Sequence, residues 1–144
     1  MTTPLRLLLA DDNLPDQMLA EVAFESQDLP VDVTYCVNGR EVMETLLAAE
    51  TVKPDVVVLD LNMPVMDGHE TLRRIRAHPA LQHYPVAILT SSRSADDIQR
   101  AYAQHASVYM IKALDLEQFT RQMAAFVEFY SRCRFSAPVP ASFS

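Results

Sequence analysis

Five polar side chains sit where apolar runs stop. Asp11 and Asp12 follow "LRLLLA", Asp60 ends "DVVVLD", Thr90 ends "PVAILT", and Lys112 follows "SVYMI". Any one of these acids, taken alone, reads as a helix cap or a solvated loop residue. The set reads differently, because four separate apolar segments each deliver a group of matching chemistry. Three carboxylates brought together repel one another and call for a cation, and oxygen donors suit Mg²⁺. A lysine and a hydroxyl facing them would hold the oxygens of a phosphoryl group. The central acid, Asp60, is then placed to act as a nucleophile and to become an aspartyl phosphate. The turn "LNMPVMDG" after it supplies a further metal ligand.

These residues are far apart in sequence, so the fold must gather them. The runs 5–10, 31–37, 55–60, 85–90 and 107–111 read as strands. Most lack polar alternation, which suits strands covered on both faces of a parallel sheet. "VDVTYCV" alternates in part and is expected nearer an edge. Helix-length segments lie between them. Residues 14–27 carry Leu14, Met18 and Val22 at helical spacing, with Pro15 suited to a first turn. Asn38 with Glu41, Ser94 with Asp97, and Asp115 with Gln118 have capping-box spacing. Residues 68–77 form a shorter helix after Asp67. In the last helix Leu116, Phe119, Met123, Phe126, Val127 and Tyr130 make one apolar stripe, and Phe129 lies off it.

The β-α alternation repeats five times and predicts an α/β fold, a five-stranded parallel sheet with helices on both faces. In such sheets sites form at the carboxyl ends of the strands. That rule would bring Asp11, Asp12, Asp60, Thr90 and Lys112 to one edge. The domain is expected to span residues 1–132, with "CRFSAPVPASFS" (133–144) as a flexible tail.

Composition narrows the function classes. The chain has 144 residues and a net charge of −7, from 19 acidic and 12 basic residues. That balance argues against nucleic-acid binding and for protein partners or a cation. No apolar run is long enough to span a bilayer or form a signal peptide, so a cytoplasmic protein without membrane contact is expected. Two cysteines without metal spacing fit a reducing compartment. Cys36 is expected in the core and Met63, Met66 and Met110 in packing roles. His69, His78, His83 and His105 read as surface residues.

"ADDN", "VLDLNMPVMDGHE", "ILTSS" and "YMIK" occur in this order and spacing. On these motifs the chain resembles the receiver domain of bacterial two-component response regulators over roughly residues 4–132. The resemblance implies a flavodoxin-like (βα)5 fold and phosphorelay signalling with a sensor histidine kinase. It makes Asp60 the phosphoacceptor, Asp12 a direct Mg²⁺ ligand and Asp11 an acid acting mainly through water. Asn62 would complete the metal shell with its backbone carbonyl. Thr90 would be the switch hydroxyl, Tyr109 the switch aromatic, and Lys112 the partner of the phosphoryl group. Pro64 and Gly68 would frame the acceptor loop. Receivers usually carry proline after the lysine, joined by a cis bond; here Ala113 follows, and a cis bond before it would cost about 3–4 kcal/mol.

The layout is similar to that of stand-alone regulators that pair with phytochrome-type kinases. A homodimer through the fifth strand and the last helix is expected from Phe129. Such a protein acts on its own carboxylate, with self-directed dephosphorylation, and turns over no outside metabolite. Two other classes compete. An aspartate-nucleophile phosphatase needs a general acid two residues past the nucleophile, where Asn62 has no proton to give. A phosphate-independent interaction module of the same fold would have no use for the intact Asp12, Asp60, Thr90 and Lys112 set. A nucleotide-binding protein would need a Gly-rich loop, and the chain has two glycines.

Overall fold

The computed structural model describes residues 3–135. Five strands alternate with five helices. They are β1 (Leu5–Ala10), α1 (Leu14–Glu25), β2 (Val31–Cys36), α2 (Gly39–Leu47), β3 (Val56–Leu59), α3 (Gly68–Ala77), β4 (Val86–Thr90), α4 (Ala95–Ala103), β5 (Val108–Ile111) and α5 (Leu116–Phe135). The strands pair in parallel in the order β2-β1-β3-β4-β5. The chain leaves β1 toward β2 on one side and returns to β3 on the other. The switch in strand order therefore lies between β1 and β3, where Asp11 and Asp60 emerge. The partly alternating strand β2 is at one edge, as its pattern predicts.

Alternate residues of each central strand feed two separate cores. Leu8, Val57, Leu59, Val86 and Ile88 pack with Val42, Leu46, Leu72, Ile75 and Ala101 of α2, α3 and α4. Leu7, Leu9, Val56, Val58, Ala87 and Leu89 pack with Ala20, Phe24, Phe119, Met123, Phe126 and Val127 of α1 and α5. This two-sided burial is why the strands read as unbroken apolar runs. Cys36 and Met63 lie in the first core.

Helix starts follow the capping signals. Asn38, Asp67 and Ser94 accept the backbone N–H of Glu41, Glu70 and Asp97, and Asp115 accepts that of Gln118 at 2.7 Å. Asn13 caps α1, with Pro15 in its first turn.

Four expectations change. Leu14, Met18 and Val22 are 61%, 67% and 48% exposed, while Ala20, Ala23 and Phe24 are buried. The inner face of α1 combines two alanines with Phe24, while Leu14, Met18 and Val22 point outward. Leu116 leaves the stripe of α5 and is 51% exposed as the first residue of the helix. His69 is buried at 6% exposure, whereas His83 and His105 are exposed. Finally, α5 runs to Phe135, past the expected domain boundary at 132. The rest of the expected tail, 136–144, lies outside the described residues. Phe129 is 60% exposed, off the buried stripe as its position predicts.

Candidate phosphoacceptor and metal site

The site is built on backbone continuations of the sheet. The Asp11 N–H donates to Cys36 C=O at 3.0 Å, and the Asp60 N–H donates to Ala10 C=O at 2.9 Å. Both acids are thus fixed in register with the sheet, one residue past β1 and β3. Asp11 Oδ1 accepts the Asn13 N–H at 2.9 Å, and Gln17 Nε2 donates to Asp11 C=O at 2.6 Å. Asp11 and Asp60 are buried, at 3% and 8% exposure, and Asp12 is exposed.

Carboxylate oxygens of Asp11, Asp12 and Asp60 lie within 4.8 Å of one another. Lys112 reaches them from β5. Its Nζ lies 2.8 Å from Asp11 Oδ2, 2.9 Å from Asp16 Oδ2 and 3.2 Å from Asp60 Oδ2. Three carboxylates therefore bind one ammonium, and a fourth, that of Asp12, lies beside Asp11 and Asp60. The surplus negative charge and the all-oxygen donor set fit a hard divalent cation.

Protonation reflects this crowding. Burial pushes the Asp11 carboxyl above its usual range, although Lys112 and the Asn13 N–H both oppose the shift. Burial also disfavours the Lys112 ammonium, but the carboxylates of Asp11 and Asp16 and the charge of Asp60 outweigh it. The lysine is held above its ordinary range and is charged at every physiological pH.

The loop after Asp60 is shaped for close approach. The Asn62 N–H faces Asp60 Oδ1 at 3.4 Å. A Cβ on Gly68 would strike the Asp60 carbonyl oxygen and lie 2.8 Å from Leu61 Cα. Glycine is required there because the first turn of α3 packs directly on the Asp60 backbone. Val65 has φ 69°, a left-handed conformation that is strained for a β-branched side chain by roughly 1–3 kcal/mol.

Thr90 is fully buried, and its Oγ1 accepts the Ser92 N–H at 3.3 Å. The Tyr109 hydroxyl donates to Ser92 C=O at 2.9 Å, and the Tyr109 N–H donates to the Tyr102 hydroxyl at 3.1 Å. Ser92 thus links Thr90 to Tyr109 through its own backbone. The peptide bonds of the described residues are all trans, Lys112–Ala113 included.

Of the side chains that the sequence pointed to at the strand ends, Asp11, Asp12, Asp60 and Lys112 meet in this cluster, while Thr90 is tied to Lys112 through its backbone carbonyl. Two contributors, Asp16 and His69, were not legible. Asp16 reads as a first-turn acid favoured by the helix dipole, but its carboxylate turns to Lys112. The buried His69 Nε2 lies 3.0 Å from Asp97 Oδ1, and the Ser92 hydroxyl donates to Asp97 Oδ2 at 2.6 Å. With Asp97 ionised, His69 Nε2 carries the proton. The signal for His69 was its place just after Gly68, which turns it inward against α4.

The Ser92 hydroxyl and the His69 ring hold the Asp97 carboxyl below its usual range. Its folded pKa is thus below its unfolded value of 3.8. The stabilisation is complete above that value and is lost as pH falls through the folded pKa. Asp97→Asn is expected to lower Tm at neutral pH, with the gap to wild type closing below pH 3.8. A pH series of thermal melts checks this; a gap that stays constant into acid contradicts it.

Residues 7–124 match the response regulator receiver domain family. A probable methanogenesis regulatory protein, FilR2 of Methanothrix harundinacea (strain 6Ac), is 35% identical over 88% of this chain and 84% of its own length. The response regulator Rcp1 of Synechocystis sp. (strain ATCC 27184 / PCC 6803 / Kazusa) is 27% identical over 88% of this chain and 89% of its own. The phosphorylated cyanobacterial phytochrome response regulator RcpA superposes with a TM-score of 0.84 at 31% identity, covering 96% of this chain and all of that one. The Mn²⁺-bound form of Rcp1 superposes with a TM-score of 0.82 at 26% identity, over 96% of this chain and 100% of that one. With its acid cluster, strand-end lysine and five-stranded parallel sheet, the chain belongs to the response regulator receiver family.

Proposed function

We propose that Asp60 accepts a phosphoryl group from the phosphohistidine of a sensor histidine kinase. An Asp60 carboxylate oxygen attacks phosphorus, a new O–P bond forms, and the P–N bond to the kinase imidazole breaks. The imidazole nitrogen leaves with the bonding electron pair. The observation that carries this reading is the Lys112 ammonium, held between Asp11 and Asp60. It sits where the negative oxygens of an incoming phosphoryl group need a counter-charge.

Asp11, Asp12 and Asp60 would hold Mg²⁺, with the Asn62 backbone carbonyl as a further ligand. When bound, the cation neutralises charge on the phosphoryl oxygens. The chain's own residues do the rest. Lys112 moves its ammonium onto one phosphoryl oxygen. Thr90 Oγ1 accepts the Ser92 N–H, so its own proton is available to a second phosphoryl oxygen. That shift loosens Ser92, whose carbonyl holds the Tyr109 hydroxyl. Tyr109 is then released to turn inward, and the surface around α4 and β5 changes its affinity for partners. Two states separated by a few kcal/mol are enough for such a switch. Water attack on phosphorus breaks the acyl O–P bond, releases inorganic phosphate and returns Asp60 to a carboxylate, so the chain acts on its own side chain.

Similarity to RcpA, a phytochrome response regulator, supports a phytochrome-type kinase as the partner. No helix among the described residues is long and apolar enough to cross a membrane, and a net charge of −7 disfavours nucleic acid. Strand β5 has an open edge and Phe129 is exposed on α5, which supports a homodimer through these two elements. Sedimentation that finds only monomer, with and without a phosphoryl mimic, would refute that dimer.

The function is tested by intact mass after incubation with acetyl phosphate. One added phosphoryl group with Mg²⁺, and none with a chelator, is the expected result. No incorporation into folded protein would instead favour the phosphate-independent interaction module.

A further inference from the structure

The Lys112 loop has Ala113 where the resemblance to receivers implied a proline, and α5 contacts the loop at that point. Proline has no backbone N–H. Ala113 has one, and it donates to Gln122 Oε1 at 3.1 Å. The same side chain donates from Nε2 to Ile111 C=O at 2.8 Å. The Lys112 N–H itself donates to Thr90 C=O at 2.8 Å. The peptide groups before and after Lys112 are therefore gripped by one amide, and the lysine's own N–H by β4. Lys112 is held on both sides while its ammonium reaches across to Asp11 and Asp60.

Only a glutamine makes this pair of contacts from that position. A glutamate offers acceptors but no donor, and an asparagine is one methylene too short. A leucine fills the space with neither. The amide orientation is fixed by its partners, because an N–H must meet the oxygen and a carbonyl must meet the nitrogen.

We infer that Gln122 is a positioning residue for phosphoryl transfer, clamping the trans Lys112–Ala113 segment. It rests on the phosphoacceptor reading of Asp60. Gln122 touches neither acid nor phosphoryl group, so its effect must pass through Lys112. That makes the inference separable from a general loss of stability.

The test is a double-mutant cycle over wild type, Gln122→Leu, Lys112→Ala and the double variant. Initial phosphoryl incorporation from acetyl phosphate in saturating Mg²⁺ is the first readout. Gln122→Leu is expected to slow incorporation about tenfold in wild type, and not at all in the Lys112→Ala background. Mg²⁺ affinity by calorimetry is the second readout and does not depend on Asp60 accepting a phosphoryl group. A loosened lysine competes less with the cation for Asp11 and Asp60. Gln122→Leu should therefore tighten Mg²⁺ binding severalfold in wild type and leave it unchanged without Lys112.

Equal changes in both backgrounds, or no change in either, would overturn the inference. Should Gln122→Leu not fold, Gln122→Glu carries the same cycle, since it keeps the acceptor for Ala113 and loses the donor to Ile111. A wild type that binds Mg²⁺ but takes no phosphoryl group would refute the phosphoacceptor reading alone. The calorimetric cycle would still decide the role of Gln122.

Discussion

Lys112→Ala is expected to slow phosphoryl incorporation on Asp60 by about 10²–10³-fold, the usual cost of removing one preorganised charge-stabilising donor. The same substitution should destabilise the cation-free protein. Lys112 is the ammonium at Asp11, Asp16 and Asp60, and its side chain is only 15% exposed. Removing one partner of a largely buried ion pair costs about 3–5 kcal/mol, which in a domain of this size lowers Tm by roughly 10 °C or more. Mg²⁺ should return more of that loss in the variant than it adds to wild type, because it replaces the missing positive charge. The deficit should also shrink as pH falls. Without the lysine the buried Asp11 carboxyl, already above its usual range, rises further. A raised carboxyl pKa means stability that is greater in acid and lost as pH climbs through that value. Calorimetric melts with and without Mg²⁺ across pH decide the matter. A variant that melts within a degree of wild type in chelator would contradict this account of the site.

The second large effect is at Asp60 itself. Asp60→Asn should abolish incorporation altogether, because a neutral amide is not a nucleophile toward phosphorus. The fold should survive. The backbone tie from Asp60 N–H to Ala10 C=O is unaffected, and asparagine has nearly the same volume. Removing one of three clustered carboxylates also lowers the charge offered to a cation, so Mg²⁺ affinity should fall. Intact mass and calorimetry on the same sample separate the two consequences. Residual incorporation in a folded Asp60→Asn protein would place the acceptor elsewhere.

The sheet and the strand-end chemistry were legible because both depend on strong, local signals. Unbroken apolar runs mark strands that feed two cores, and the polar residue that ends each run falls at the sheet's edge. What was not legible came from helices facing that edge. In α1 the large residues Leu14, Met18 and Val22 have helical spacing but point outward. The inner face is made by Ala20, Ala23 and Phe24, two small side chains and one aromatic. Asp16 reaches Lys112 from α1 and Gln122 reaches the backbone on either side of that lysine from α5, and no periodicity in the chain marks a side chain for such a contact. His69 looked like a surface residue because a single histidine carries no spacing. Its burial follows from Gly68, which brings the start of α3 against the Asp60 backbone and turns the next residue toward Asp97.

The loop at Ala113 was legible only as a departure. The sequence posed the choice between a strained cis bond and a trans one, and the trans bond is observed. Two hydrogen bonds from Gln122, to the Ala113 N–H and the Ile111 carbonyl, tie that trans segment to α5.

The central claim is that Asp60 becomes an acyl phosphate, and trapping that bond tests it most directly. Wild-type protein incubated with acetyl phosphate and Mg²⁺ is treated with borohydride, which reduces an acyl phosphate to the alcohol. Peptide mapping should then find homoserine in place of aspartate at position 60 and nowhere else, and only when Mg²⁺ was present. Homoserine at another acid, or an unaltered Asp60 in protein whose mass has increased by a phosphoryl group, would contradict the account.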